Sequence, residues 1–201
     1  MLKVGLTGSI AVGKSYVCEC FRELGCHVLD ADKTARDVVG PGTSGLVQIV
    51  REFGSDFLQP NGHLDRKALA NLVFADDDKR QLLNSIVHPL VIEEQDGWIR
   101  ALERDDAHGI AIVDAALMIE SGSYRRFDKI VVVWCEPAIQ LSRLMARDNL
   151  SESEAKQRIA AQMSQEEKKS FADHLINTSA DVEDVRRQVA RVFEQLWANS
   201  T

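Results

Sequence analysis

The sequence has no CxxC pair and no cluster of Cys and His at zinc-ligand spacing; its four cysteines are Cys18, Cys20, Cys26 and Cys135. A structural zinc site or a thioredoxin-like redox pair is therefore not expected. Cys18 and Cys20 stand two apart, on different faces of any helix that carries them, so reduced and packed thiols are the expected state. Long apolar runs are missing too, and no stretch is long enough to cross a bilayer. The N-terminus lacks a charged segment followed by an apolar one, which leads to the expectation of a soluble, cytoplasmic protein. Positive charge is in short supply: 24 Lys and Arg stand against 31 Asp and Glu, a net charge of −7. Nucleic acid and anionic membranes both select clustered positive charge, so neither is an expected partner, and an anionic ligand needs a local basic site.

What remains is enough for one compact α/β domain with smaller excursions: 201 residues, with a hydrophobic fraction of 45% that argues against disorder. Leu2 to Thr7 reads as a short strand, followed by a helix from about Lys14 to Leu24 that Gly25 stops. His27 to Asp30 is a second strand, a helix starts near Ala31, and Gly40 to Gly45 forms the clearest loop. From about Gly45 to Asp106 the pattern is helical, with apolar stripes at Leu46, Ile49, Val50 and Phe53 and at Leu69, Leu72 and Val73. Pro89 is expected to break or kink a helix there. Ile110 to Asp114 and Lys129 to Trp134 are continuous apolar runs, as parallel strands covered on both faces require. Ser151 to Glu154 has the form of a capping box. Leu175 to Asn177 reads as a last strand, and Val182, Val185, Val189, Val192 and Leu196 as the stripe of a closing helix. Strands alternating with helices predict a three-layer α/β fold around a parallel sheet.

The chemistry concentrates in Gly8-Ser9-Ile10-Ala11-Val12-Gly13-Lys14-Ser15, a complete GxxxxGK[ST] between a predicted strand and a predicted helix. Glycines let backbone N–H groups turn toward a phosphate, and the helix N-terminus adds partial positive charge. Lys14 can reach the β- and γ-phosphates of ATP, and the Ser15 hydroxyl can ligate Mg²⁺. No NKxD base-reading motif of a GTPase is present, which favours a small-molecule kinase over a switch.

Such a kinase needs an acceptor base, basic groups over the phosphates and a metal carboxylate. Asp30 and Asp32 follow the second strand, where ligands of parallel sheets gather; each could cap the next helix, and Asp32 could serve as base. Arg143 and Arg147 are four apart on one helix face and could clamp a polyphosphate, or could be a solvated face. Asp114 ends an apolar strand, as a metal carboxylate of the Walker-B type or as an ordinary turn residue. His88, before Pro89, could be structural or functional.

The order of these segments resembles the dephospho-CoA kinases. Gly5 to Ser15, Asp30 to Asp32, Leu64 to Arg66, Val87 to Val91, Leu117 to Glu120, Gln140 to Asp148 and Arg158 to Gln162 match that family's motifs in sequence order across nearly the whole chain. The resemblance implies a P-loop kinase core with five parallel strands built from residues 1–39, 107–146 and 171–201, a helical CoA-binding region over 40–106 and a lid over 147–170. It implies ATP as donor, dephospho-CoA as acceptor and phosphorylation of the ribose 3′-hydroxyl. It makes Asp32 the base, Arg143 and Arg147 contacts to ATP and the transition state, and Thr7, Arg66, His88 and Glu120 acceptor-site residues. Tyr16 and Asn177 are expected on the nucleotide side, and a monomer is expected, with weak self-association as the alternative. The family's loop is commonly richer in glycine (GGIGSGKST), where this chain has Ser9, Ala11, Val12 and Tyr16; Ala11 is the notable change, because a Cβ there favours a negative φ. A nucleoside-monophosphate kinase and a nucleotide-binding module without turnover are the competing readings.

Overall fold

The computed structural model describes residues 1–199. Its strands are β1 (Leu2–Thr7), β2 (His27–Asp30), β3 (Ile110–Asp114), β4 (Lys129–Trp134) and β5 (His174–Asn177). They form one parallel sheet in the order β2-β3-β1-β4-β5. The apolar runs of β3 and β4 take places on either side of β1, buried on both faces, which is why they lack the alternation of a half-exposed strand. The register aligns the strands' carboxyl ends: Leu6 pairs with Asp114 and Val131, Asp30 with Asp114, and Trp134 with Asn177. Ligands of such sheets bind along that edge, so the fold places chemistry there before any side chain is considered.

The chain divides into two compact units, residues 1–30 with 101–201, and residues 31–100. In the first, Val4, Leu6, Ile112, Val131, Val133 and Ile176 of the sheet are packed by α1 (Lys14–Glu23), through Val17 and Phe21, and by α9 (Val182–Trp197). Val185, Val189, Val192 and Leu196 of α9 are buried, as their spacing predicts, while Val182 is exposed. The same unit carries α6 (Pro137–Asp148), α7 (Glu152–Ala160) and α8 (Gln165–Lys169). The Ser151–Glu154 capping box starts α7, and an equivalent box of Ser164 and Glu167 starts α8.

The second unit is built from α2 (Ala31–Asp37), α3 (Ser44–Phe53), α4 (Arg66–Ala75) and most of α5 (Asp77–Asp105) around Leu46, Ile49, Leu64, Leu69 and Ile86. Thr43 caps α3 and Asp65 caps α4 through their side-chain oxygens. Pro89 does not break its helix: α5 runs through it without interruption. The direct cost of that proline is one N–H that can no longer reach the Ser85 carbonyl, and tertiary packing of Ile86, Gln95 and Ile99 holds the helix on both sides of it.

All four cysteines are buried and unpaired. Burial pushes the Cys26 thiol up to about 12. Burial, and then the Asp114 carboxylate, push Cys18 up further, and burial raises Cys135. Thiolate is the reactive form, so the native protein should react very slowly with a disulfide reagent at pH 8, and all four thiols should react once denaturant is added. Rapid release from two or more thiols in the native protein would contradict this.

Candidate active site

The loop from Gly8 to Ser15 joins the carboxyl end of β1 to α1. Gly8 is required sterically: a Cβ there would stand 2.5 Å from the Val133 carbonyl oxygen of β4. Gly13 sits at φ 85° as the N-terminal boundary residue of α1 and supplies no side-chain cap. Tyr16 N–H turns back to the Gly13 carbonyl at 3.2 Å; for the N–H groups ahead of it in the first turn, a phosphate oxygen is the acceptor that their charge favours.

Ala11 adopts φ 61°, in the left-handed region, rather than the negative φ expected of a residue with a Cβ. That conformation costs about 1–2 kcal/mol for a non-glycine residue. The peptides around it are held by distant side chains. Ile10 N–H donates to Gln162 Oε1 at 2.8 Å, and Gln140 Nε2 donates to the Ile10 carbonyl at 2.8 Å. Thr178 Oγ1 donates to the Val12 carbonyl at 2.6 Å, and Ser9 Oγ to the Met163 carbonyl at 3.4 Å.

Lys14 Nζ forms an ion pair with Asp114 at the end of β3, both side chains being more than four-fifths shielded from solvent. A cation that can reach phosphate and a carboxylate that can reach a metal thus face each other across adjacent strand ends. The Ser15 hydroxyl and the Asp114 carboxylate are hard oxygen donors of the kind Mg²⁺ takes, in the small number left when substrate phosphates and water complete the shell. Among the described residues there is no cluster of three or more His, Cys, Asp or Glu able to hold a metal by protein ligands alone.

Arg143 of α6 donates to Thr178 twice, Nη1 to Oγ1 at 3.0 Å and Nη2 to the carbonyl at 2.8 Å. Both residues lie against the loop, since a Cβ on Gly13 would be 3.3 Å from Thr178 Oγ1 and 3.5 Å from Arg143 Nη1. Gly13, Tyr16, Arg143, Thr178 and Val185 line a cavity of about 240 Å³. Its walls are apolar with one guanidinium, a combination suited to a planar base. The Tyr16 ring is fixed from behind: its hydroxyl accepts from Arg186 Nε at 3.0 Å, and Arg186 in turn pairs with Glu23 at 2.6 Å.

The family model described as dephospho-CoA kinase matches residues 2–184. The chain belongs to the dephospho-CoA kinase family. A protein named dephospho-CoA kinase from Geobacter sulfurreducens is 42% identical over 97% of the chain and 96% of its own length. A dephospho-CoA kinase domain-containing protein of Danio rerio is 47% identical over 98% of the chain and 86% of its own length. Among solved structures, dephospho-CoA kinase from Campylobacter jejuni superimposes with a TM-score of 0.73 at 28% identity, covering 99% of this chain and 98% of the other. Shikimate kinase from Acinetobacter baumannii, 14% identical at a TM-score of 0.54, shares the fold alone. As a member of a dephospho-CoA kinase family the chain is an ATP-dependent kinase with the P-loop kinase fold.

Other residues expected at the site fall in several places. Thr7 is fully buried at the end of β1, its hydroxyl donating to the Ala116 carbonyl at 3.3 Å. Arg147 points along its own helix end, bidentate to Asp148 at 2.8 and 3.1 Å, and Asp148 also receives Arg158 of α7 at 2.9 Å. The Arg147 hydrogen bond holds the Asp148 carboxyl below its ordinary range. Asn177 is occupied in its own turn: its side-chain oxygen accepts from Ser179 N–H at 2.9 Å, while its backbone exchanges two bonds with Gln188. Asp32 (exposed, first turn of α2), Arg66 and His88 all belong to the second unit. Arg66 donates to the Arg36 carbonyl at 2.7 Å, and burial, then Arg36, lower its pKa.

Glu120 accepts from Met163 N–H at 3.2 Å and from Lys168 Nζ at 2.8 Å, and Lys168 also donates to the Ala116 carbonyl at 2.8 Å. The Lys168 side chain is wholly buried. Its role had no signal in the sequence, where it looks like one more lysine in the solvated run Glu166 to Lys169. Replacing it with methionine leaves the Glu120 carboxylate and a carbonyl without their cation, and should destabilise the fold by about 3 kcal/mol in urea titration. A loss below about 1 kcal/mol would mean that solvent relieves the pair. Thr178, Gln140 and Gln162 also carry contacts to the loop; the two glutamines stand in matched motifs, but the sequence gives no sign of the loop peptides that they hold.

Proposed function

We propose that the chain transfers the γ-phosphoryl group of ATP to the ribose 3′-hydroxyl of dephospho-CoA, giving ADP and CoA. The observation that carries this is the facing of Lys14 and Asp114 beside an uncapped helix N-terminus, in a chain of this family. On this reading adenine takes the cavity lined by Gly13 and Arg143, and the triphosphate runs along the loop. The loop amides and Lys14 hold the β- and γ-phosphates, and Arg143 neutralises charge that spreads over the equatorial oxygens during transfer. Mg²⁺, when bound through Ser15 and Asp114, supplies further neutralisation of the β- and γ-phosphates.

On the same reading, Asp32 orients the acceptor hydroxyl and takes its proton, and Arg66 and His88 belong to the acceptor region over residues 40–106. Residues 147–170 act as the lid, bringing Arg147 over the phosphates on closure and excluding water. Asp148 releases Arg147 at that step, since a phosphate oxygen offers the guanidinium an equally good partner. Glu120 then works by anchoring the lid's trailing end.

The test is product formation by the purified protein with ATP, Mg²⁺ and dephospho-CoA. CoA and ADP in equal amounts support the reading. No turnover there together with turnover on a nucleoside monophosphate would overturn it, and nucleotide-dependent stabilisation without any turnover would favour a binding module. A cytoplasmic monomer is part of the same proposal. Among the described residues no helix is long and apolar enough to cross a membrane, and light scattering of the pure protein measures the oligomeric state.

A further inference from the structure

We propose that Gln162 and Gln140 are positioning residues that clamp the Ile10 peptide and so hold the phosphate loop in its binding conformation. The proposal rests on ATP being the ligand of that loop. It starts from Ala11, whose φ of 61° is one that alanine does not adopt willingly and that glycine adopts freely. Such a conformation persists only where its surroundings over-determine it. The two peptides that flank the Ile10 Cα, just before Ala11, are each held: the Ile10 N–H donates to Gln162 Oε1 at 2.8 Å, and the Ile10 carbonyl accepts from Gln140 Nε2 at 2.8 Å.

The two glutamines are themselves fixed. Gln140 is buried in α6, and its Oε1 accepts from Gln165 Nε2 at 2.8 Å. Gln165 Oε1 accepts from Cys135 N–H at 2.9 Å, which ties the chain of amides to the end of β4. Gln162 lies between α7 and α8, in a segment held by Met163 to Glu120 and by the buried Lys168 to Glu120 and Ala116. The amide ladder thus runs from the end of β4 through Gln165 of α8 and Gln140 of α6 to the loop. Each amide is used as both donor and acceptor, or as the single acceptor that an N–H requires.

Without the clamp on Ile10, Ala11 is free to leave its left-handed geometry, and only the fraction of molecules that keeps it binds triphosphate. Apparent ATP affinity falls by that fraction, whereas turnover of molecules already saturated changes little. Glycine at position 11 needs no clamp, so the dependence on Gln162 should shrink in that background.

The test is a double-mutant cycle of Gln162→Met, which keeps the length of the side chain and removes the acceptor, with Ala11→Gly. ATP dissociation constants are measured by calorimetry, alongside KM and kcat. Gln162→Met alone should weaken ATP binding and raise KM for ATP by roughly five- to tenfold, with kcat changed less than about threefold. In the Ala11→Gly background the same substitution should cost less than about twofold. Equal losses in the two backgrounds, or an unchanged dissociation constant, would overturn the inference. If Gln162→Met proves too unstable to assay, Gln140→Met removes the other half of the clamp and carries the same cycle with the same expected outcomes. Lack of ATP binding by the unsubstituted protein would overturn the functional reading and this inference with it. ATP binding without coupling between positions 11 and 162 would overturn the inference alone.

Discussion

Lys14→Ala is expected to lower kcat by about 10²–10³-fold, the range found when one preorganised donor to a developing charge is removed. The ammonium stands at the loop, shielded from solvent and paired with Asp114, and on the proposed reading it exchanges that carboxylate for the phosphates when ATP and Mg²⁺ bind, ahead of the transfer step. On that reading its contribution grows as charge gathers on the β–γ bridging and γ-phosphate oxygens, which makes the loss fall on kcat more than on binding. On the same proposed reading the loop amides and the α1 N-terminus remain and carry much of the ground-state grip on ATP. A smaller rise in KM, by severalfold, is therefore expected beside the fall in kcat. The substitution also strips Asp114 of its counter-ion, so melting temperature should be recorded with the kinetics. A kcat within tenfold of the unsubstituted protein, at normal stability, would remove Lys14 from the transition state.

The sheet and the loop were legible in the sequence because both obey local rules. A parallel strand covered on both faces must be continuously apolar, as Ile110 to Val113 and Ile130 to Val133 are. A phosphate loop must carry glycine where backbone approaches backbone, as Gly8 does under Val133. The Lys14–Asp114 pairing was half legible. Each residue had a sequence argument of its own, but only the register of β1 with β3 brings them opposite one another.

What could not be read is whatever depends on long-range pairing of common polar residues. Gln162 meets Ile10 across 152 positions and Thr178 meets Val12 across 166. A glutamine in a helical connection has no local signature of the amide it will satisfy. Ala11 shows the same limit from the other side. Its Cβ argued for a negative φ on local grounds, and tertiary hydrogen bonds overrode that preference. Pro89 marks the same limit in part: its missing N–H and its ring argued for a break or a kink, and α5 runs through it unbroken.

Asp32→Asn is expected to lower kcat by about 10²–10⁴-fold, the usual contribution of a positioned general base. β2 ends at Asp30, whose register partner is Asp114, so the chain reaches Asp32 within two residues of the carboxyl edge. Asp32 sits in the first turn of α2, where a carboxylate is also favoured by the helix dipole and could be there for stability alone. The asparagine variant separates the two roles. Asn keeps the size and the carbonyl acceptor, so the helix start should survive with a stability loss of no more than about 1 kcal/mol. What it cannot do is take a proton from an attacking hydroxyl. If Asp32 is the base, kcat collapses while the KM values for ATP and dephospho-CoA and the melting temperature barely move. If it only starts the helix, kcat stays within tenfold and any change appears in melting. Asp30→Asn, two residues earlier and outside the base role, should produce the smaller kinetic effect of the two. The reverse order would assign the proton to Asp30 instead.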